Sequence, residues 1–388
     1  MLKLYSKIQL LTKTNLNERT IVKITDNCDI PINFRKNYFF INKDNNHINL
    51  NNGFLGYFIF NNLCDYEHEN LYLLPTELNY LKNDDIVAID PKKNTMRVIF
   101  RNDSPNNSLL LTENCNNFCL MCSQPPRNID DSFLIDEIIS MIPLINKNAK
   151  EIGLSGGEPT LLGDNLVRIL KKFNSYLPNT SIHVLTNGRK FKDNNFSKEI
   201  AKVEHNDLMF GIPLYSDIPF IHDYVVQAKN AYNETLKGII NLKTLNQKVE
   251  IRVVIHKQTY SRLANLAEFI VRNLLFVDHI AFMGLEITGF TRANLDQLWI
   301  DPPFYQQELI DAVEILNNFG LNVSIYNHQL CLVDKKLWPF CRKSISDWKN
   351  EYMPECNNCI MKQECGGFFS SSHLRYSDYI KPFLDSRT

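Results

Sequence analysis

The sequence predicts an α/β protein: a partial (β/α)6 barrel, preceded by a small β-rich domain and followed by a cysteine-rich extension. Three observations predict it. Six near-continuous apolar runs after residue 108 alternate with stretches of helical period. The first hundred residues carry short strand-like runs and no convincing long amphipathic helix. Eight of the ten cysteines gather in two clusters.

The front part, residues 1–101, contains "TIVKI", "NYFFI", "GYFIF", "DIVAI" and "MRVIF" between Asn, Asp and Gly clusters, the pattern of short strands joined by turns. In residues 102–301 the apolar runs are "SLLLTEN", "EIGLSGG", "SIHVLTN", "LMFGIPLY", "VEIRVVIH" and "HIAFMGLE". Strands of a parallel sheet buried on both faces have this composition. Between them "DEIISMIPLI", "NLVRILKKF", "AYNETLKGIINLKTL" and "LANLAEFIVRNLL" space apolar residues by three and four, as helices do. Six units are too few for a regular eight-stranded barrel, so an open, TIM-like partial barrel is expected. Its functional residues belong at the C-terminal ends of the strands. Residues 302–388 add a helix ("QQELIDAVEILNNFG"), a strand ("LNVSIYN") and five cysteines.

A hydrophobic fraction of 44% and a charged fraction of 22% are those of an ordinary soluble protein. The formal net charge of −1 supplies no basic field, so nucleic acid is not an expected partner. No run reaches the ~20 apolar residues of a membrane helix, and "MLKLYSKIQLLTKTNLNER" is broken too early by Lys and Thr for a secretory signal. A cytoplasmic location is expected. Thiols stay reduced there, so the cysteines call for something other than disulfides. Cys28 and Cys64 stand alone and are expected to be small buried hydrophobes.

"LLLTENCNNFCLMCSQPPR" sets Cys115, Cys119 and Cys122 directly after the first barrel strand. A structural zinc site wants four N or S ligands, and the nearest downstream histidine is His183. A redox pair needs only two thiols. A four-iron cluster held by three thiolates leaves one iron open to another ligand; a zinc or fortuitous cluster is the competing reading. "SGGEP" (Ser155, Gly156, Gly157, Glu158, Pro159) follows the second strand. Its glycines let the backbone approach a ligand closely, Pro159 keeps Glu158 extended, and a carboxylate there suits an ammonium group. A plain tight turn is the alternative. "LTNG" ends the third strand with Thr186 and Asn187, and Asn187-Gly188 is also a good turn. Arg252, inside an apolar run, needs a partner, either a ligand or a structural ion pair. Tyr215 and Glu286 lie at strand C-termini, positions that face substrate.

The cysteine loop resembles the signature of the radical S-adenosylmethionine (SAM) enzymes. The resemblance implies that Cys115, Cys119 and Cys122 ligate a 4Fe-4S cluster and that Met121 packs near the adenine. It implies that Ser155, Gly156, Gly157 and Glu158 hold the methionyl amino group, that Thr186 and Asn187 face the nucleoside, and that Arg252 meets the SAM carboxylate or ribose. The chemistry it implies is the cofactor's: one electron cleaves SAM, and a 5′-deoxyadenosyl radical takes a hydrogen from the substrate.

Cys356, Cys359 and Cys365, followed by Gly-Gly, resemble the auxiliary-cluster region called SPASM, or its shorter Twitch form. Phe369 stands where a further cysteine would follow, and none comes after Cys365. Five thiols suit one auxiliary 4Fe-4S cluster, with Cys331 or Cys341 as fourth ligand and Cys331 favoured; zinc competes, since four cysteines also make a zinc site. His373 is expected to be an ordinary tail residue. "LLLTENCNNFCLMCSQPP", "GLSGGEPTLL", "IPLYSDIPFIHDYVV", "FMGLEITGFTRAN", "SISDWKNEY" and "CGGFF" together resemble the radical SAM maturases of the His-Xaa-Ser peptide system. That resemblance implies a ribosomally made precursor peptide as substrate, a partner radical SAM maturase, and an electron donor of flavodoxin or ferredoxin type. A radical SAM enzyme acting on a nucleoside or RNA, and a non-catalytic zinc- or cluster-bearing scaffold, are the alternatives.

Overall fold

The computed structural model of the chain describes residues 3–43, 53–61, 68–343 and 351–384. Cys64 and most of "SISDWKNEY" lie outside them. Two compact units are present, one of residues 1–109, 132–152 and 172–180, the other of residues 110–131, 153–171 and 181–388.

The first unit is built on a mixed sheet of β1 (Tyr5–Lys7), β2 (Gln9–Leu10), β3 (Thr20–Thr25), β4 (Tyr38–Asn42), β5 (Gly56–Ile59), β6 (Leu71–Leu73), β7 (Ile86–Asp90) and β8 (Thr95–Phe100), in the order β1-β8-β7-β3-β4-β5-β6-β2. The five runs read from the sequence are β3, β4, β5, β7 and β8. The other three have no more than three residues each, too few for an alternation to show. The core is aromatic: Phe39 packs 4.8 Å from Phe58 and 6.3 Å from Tyr72, ring centre to ring centre. The helix Phe133–Met141 belongs to this unit. Its buried Glu137 pairs with Arg19 at 3.0 Å and with Arg97, which neutralises a carboxylate the core would otherwise reject. Cys28 corrects an expectation, because it is exposed. It sits on a turn after β3, where Asp29 N donates to Asn27 Oδ1 at 2.8 Å and the chain has left the sheet.

The second sheet contains β9 (Asn106–Leu110), β10 (Glu151–Ser155), β11 (Ser181–Leu185), β12 (Leu208–Pro213), β13 (Lys248–Val254), β14 (His279–Met283), β15 (Val323–Tyr326) and β16 (Cys341–Arg342). Its spatial order is its chain order, and the pairings from β11 to β16 are parallel. A parallel sheet wound in one direction curls into a half-barrel. The six expected strands are β9 to β14, "LNVSIYN" is β15, and the two-residue β16 extends the sheet. The five expected helices form as Phe133–Met141, Asp164–Tyr176, Ala231–Thr244, Leu263–Asn273 and Gln306–Asn318. Two further helices of eight residues, Asn194–Ala201 and Pro219–Val226, escaped the sequence reading, as did three single-turn ones of four residues. "PFIHDYVV" has too few polar positions for a helical period to stand out.

Candidate active site

Cys115, Cys119 and Cys122 line one open cavity of about 1060 Å³ at the C-terminal ends of the barrel strands, with Met121, Gly156, Gly157, Thr186, Asn187, Tyr215, Arg252 and Glu286. Three segments hold the cysteine loop in place. From β10, Gly157 N donates to Thr112 O at 2.7 Å and Glu158 N to Asn114 O at 2.8 Å. A Cβ on Gly156 (φ 142°) would stand 2.2 Å from Thr112 O, and one on Gly157 2.2 Å from Asn114 O. Both glycines are therefore demanded by the cysteine loop's own backbone. From the end of helix Pro219–Val226, Val226 O and Val225 O accept from Phe118 N at 3.0 Å and Leu120 N at 2.9 Å. After β14, Phe290 N donates to Cys122 O at 2.8 Å, Thr291 Oγ1 to Met121 O at 3.1 Å, and Asn294 Nδ2 to Leu120 O at 2.9 Å.

Glu158 is fully buried and does not line the cavity. Its Oε1 accepts from Thr160 N (2.9 Å), Thr160 Oγ1 (2.6 Å) and Thr186 Oγ1 (2.6 Å), and its Oε2 from Asn187 N (2.6 Å). Burial pushes its carboxyl up, against the pull of these donors. Its place in the structure is to hold the "LTNG" turn at the cavity wall. Ser155 likewise lies off the cavity, its carbonyl taken by Leu111 N at 2.8 Å. Asn187 Nδ2 reaches Asn116 Oδ1 at 2.6 Å. Arg189, not singled out from sequence, ties Asn116 O (2.9 Å) and Asn117 Oδ1 (2.7 Å) to Glu234 on helix Ala231–Thr244 (2.7 Å).

Arg252 has a structural ion pair and also stands on the cavity wall. Its Nη1 lies 2.8 Å from Glu250 Oε1, and its Nη2 3.1 Å from Met283 Sδ. Glu250 Oε2 lies 2.6 Å from His279 Nδ1, and His279 Nε2 lies 2.9 Å from Ser324 Oγ. Burial alone would raise Glu250, but the His279 hydrogen bond and the neighbouring Arg252 and His183 outweigh it and bring the carboxyl down to about 2. His183 Nε2 is 3.5 Å from Glu250 Oε1 but too poorly aligned for a hydrogen bond. Neither Glu250 nor His279 carries a local signal that would have marked it.

Burial pushes all three loop thiols up, Cys115 to about 11, and Cys122 Sγ donates to Gln124 O at 2.9 Å. Thiolates at these positions need a cationic group to compensate them, which an iron–sulfur cluster provides. Among the described residues no three His, Cys, Asp or Glu side chains converge on a single ion. A four-iron cube takes one thiolate per iron, so its ligands need only border a shared space, as these three do. Cys331, Cys356, Cys359 and Cys365 border a second, small space together with Met361, Ile380 and Phe383. Cys341 is not on its wall; it lies on β16 with Sγ donating to Leu337 O at 3.4 Å. His373 is exposed, 3.1 Å from Glu351.

Residues 109–270 match the family described as the Radical SAM superfamily. This segment matches a radical SAM domain, and such a domain implies a 4Fe-4S cluster with SAM. Among solved structures the chain is similar to SuiB of Streptococcus suis bound to S-adenosylmethionine, at 16% identity and a TM-score of 0.47, over 58% of this chain and 51% of that one. SuiB bound to the precursor peptide SuiA gives 15% and 0.45, over 58% and 49%. The enzyme anSMEcpe with bound AdoMet gives 18% and 0.43, over 56% and 63%. The similarity thus spans about half the length of SuiB. No curated protein matches the chain. No described helix is long and apolar enough to cross a membrane.

Proposed function

We propose that the chain is a peptide maturase that cleaves SAM reductively at a cluster held by Cys115, Cys119 and Cys122, and modifies a ribosomally made precursor of the His-Xaa-Ser type. One observation carries the SAM reading. The three thiols, the backbone of Gly156 and Gly157, the Thr186–Asn187 turn and Arg252 share a single cavity at the strand ends of a radical SAM domain. The peptide substrate rests on the sequence resemblance of the flanking and tail motifs.

When bound, the cluster supplies the electron for SAM cleavage. The chain's own residues do the rest. Met121 and Tyr215 sit in one apolar cluster with Val225, Val226 and Leu298, a wall suited to an adenine ring. The backbone at Gly156 and Gly157 receives the amino group, and Glu158 holds Thr186 and Asn187 toward the nucleoside. Arg252, kept in place by Glu250 and His279, meets the SAM carboxylate.

The reading includes a domain division at residues 1–101, 102–301 and 302–388. It also includes an auxiliary cluster on Cys331, Cys356, Cys359 and Cys365 with Cys341 as the alternative fourth ligand, a partner maturase, and a flavodoxin- or ferredoxin-type donor in the cytoplasm. Anaerobically reconstituted protein given a strong reductant is expected to release 5′-deoxyadenosine, and Cys119→Ala to release none; equal rates would sink the assignment. Co-expression with a candidate precursor is expected to give a mass change that Cys115→Ala abolishes.

A further inference from the structure

Away from the cysteine cavity, the segment after β14 and the C-terminal tail enclose a second open cavity bordered by Trp299, Asp301, Glu355, Arg375, Tyr376 and Asp378. Asp301 is only 9% exposed, and its Oδ1 has no hydrogen-bond partner among the described residues. A buried carboxylate oxygen without a donor costs free energy that a bound donor restores. Glu355 and Asp378 add negative charge at the exposed rim. Two basic side chains also border the space, each already in contact with a neighbour. Arg375 stacks over the Trp299 ring at 5.3 Å, and His373 lies on Glu351. A neighbouring cavity shares Trp299, Arg375 and Tyr376 with this one, and shares Gly284 and Leu285 with the cysteine cavity. The three spaces are therefore neighbours, with the cysteine cavity at one end.

We propose that the Asp301 pocket is a specificity subsite for a cationic side chain of the peptide substrate, with Asp301 accepting its hydrogen bond and Trp299 and Tyr376 flanking it. This rests on the peptide reading above. Charge selects the ligand class. A neutral side chain leaves the acidic wall unpaired, an anionic one is repelled, and a cation satisfies Asp301 while competing with Arg375 for the face of Trp299.

The test uses the full chain without SAM or cluster, titrated calorimetrically with the Nα-acetyl amides of lysine, arginine, histidine and norleucine. At least one of the three basic amides is expected to bind about tenfold or more tightly than norleucine amide, and more weakly as salt is raised. Asp301→Asn should lose about tenfold in affinity for it, and Arg375→Gln should gain severalfold. Equal binding of norleucine amide, no saturable binding of any basic amide, or unchanged affinity in Asp301→Asn would overturn the subsite. If Asp301→Asn does not fold, the rim double variant Glu355→Gln/Asp378→Asn decides the matter: a two- to fivefold loss is expected, roughly the worth of screened charges, and no change overturns the proposal. Because the assay is independent of SAM cleavage, its failure leaves the radical SAM reading standing, and the converse also holds.

Discussion

At the scale of single residues, Glu158 and Gly157 show that a motif read for its ligand also carries structural duties. "SGGEP" suggests a carboxylate and bare backbone offered to a ligand. In the fold, the glycines admit the backbone of the cysteine loop, and the carboxylate accepts four hydrogen bonds from its own chain. Glu158→Gln sets an amide NH2 against those donors and is expected to cost about 1–3 kcal/mol of stability, read by urea denaturation, together with weaker SAM binding. Lost SAM binding with unchanged stability would instead place Glu158 in contact with the ligand. Gly157→Ala must push Asn114 O away from 2.2 Å. It is expected to cost a similar ~1–3 kcal/mol and to lower iron per chain after reconstitution.

At the scale of elements, the junction between helices Pro219–Val226 and Ala231–Thr244 serves two ends. Its carbonyls at Val225 and Val226 hold the cysteine loop. Its Asp223 accepts from Asn230 N at 2.6 Å and Tyr232 N at 2.8 Å, satisfying backbone donors where the second helix starts. Asp223→Ala is expected to cost about 1 kcal/mol, as loss of a helix cap does, and to speed iron loss from the reconstituted protein by loosening the loop. Iron retention equal to wild type would show that the junction does not support the loop. The barrel strands β9 to β14 are legible in the sequence because each is an unbroken apolar run. Helix Pro219–Val226 is not, because its exposed positions carry Phe220 and Tyr224, so no polar face reveals its period.

At the scale of the whole molecule, buried histidines set the response to acid. Burial pushes His222 and His328 down to about 4 and His256 to about 3. Burial likewise takes His183 to about 4, with Arg252 and His279 assisting and Glu250 opposing. In the unfolded chain each titrates near 6.5, so below that pH the unfolded state binds more protons and stability falls. Glu250 acts in the same sense lower down, its stabilisation being present above about 4.5 and lost as pH falls toward 2. Each histidine is worth on the order of 2 kcal/mol by pH 4. Melting temperature is therefore expected to drop steadily from pH 7 to pH 5, and His256→Gln to flatten that slope if the variant folds. A level profile across that range would contradict the burial of these rings.

Taken by itself, the sequence determines the βα alternation, the β-rich front, the place of Cys115, Cys119 and Cys122 after the first barrel strand, and the segregation of five cysteines into the tail. These are local properties, written in period, composition and spacing. The tertiary structure alone decided that Gly156 and Gly157 serve the cysteine loop, that Glu158 turns inward, and that Arg252 is anchored through Glu250 to His279 on the next strand. It also decided that Cys331, rather than Cys341, shares a space with Cys356, Cys359 and Cys365. Those outcomes depend on strand register and on packing between segments distant in the chain, and no local pattern encodes which remote partner a polar group will meet.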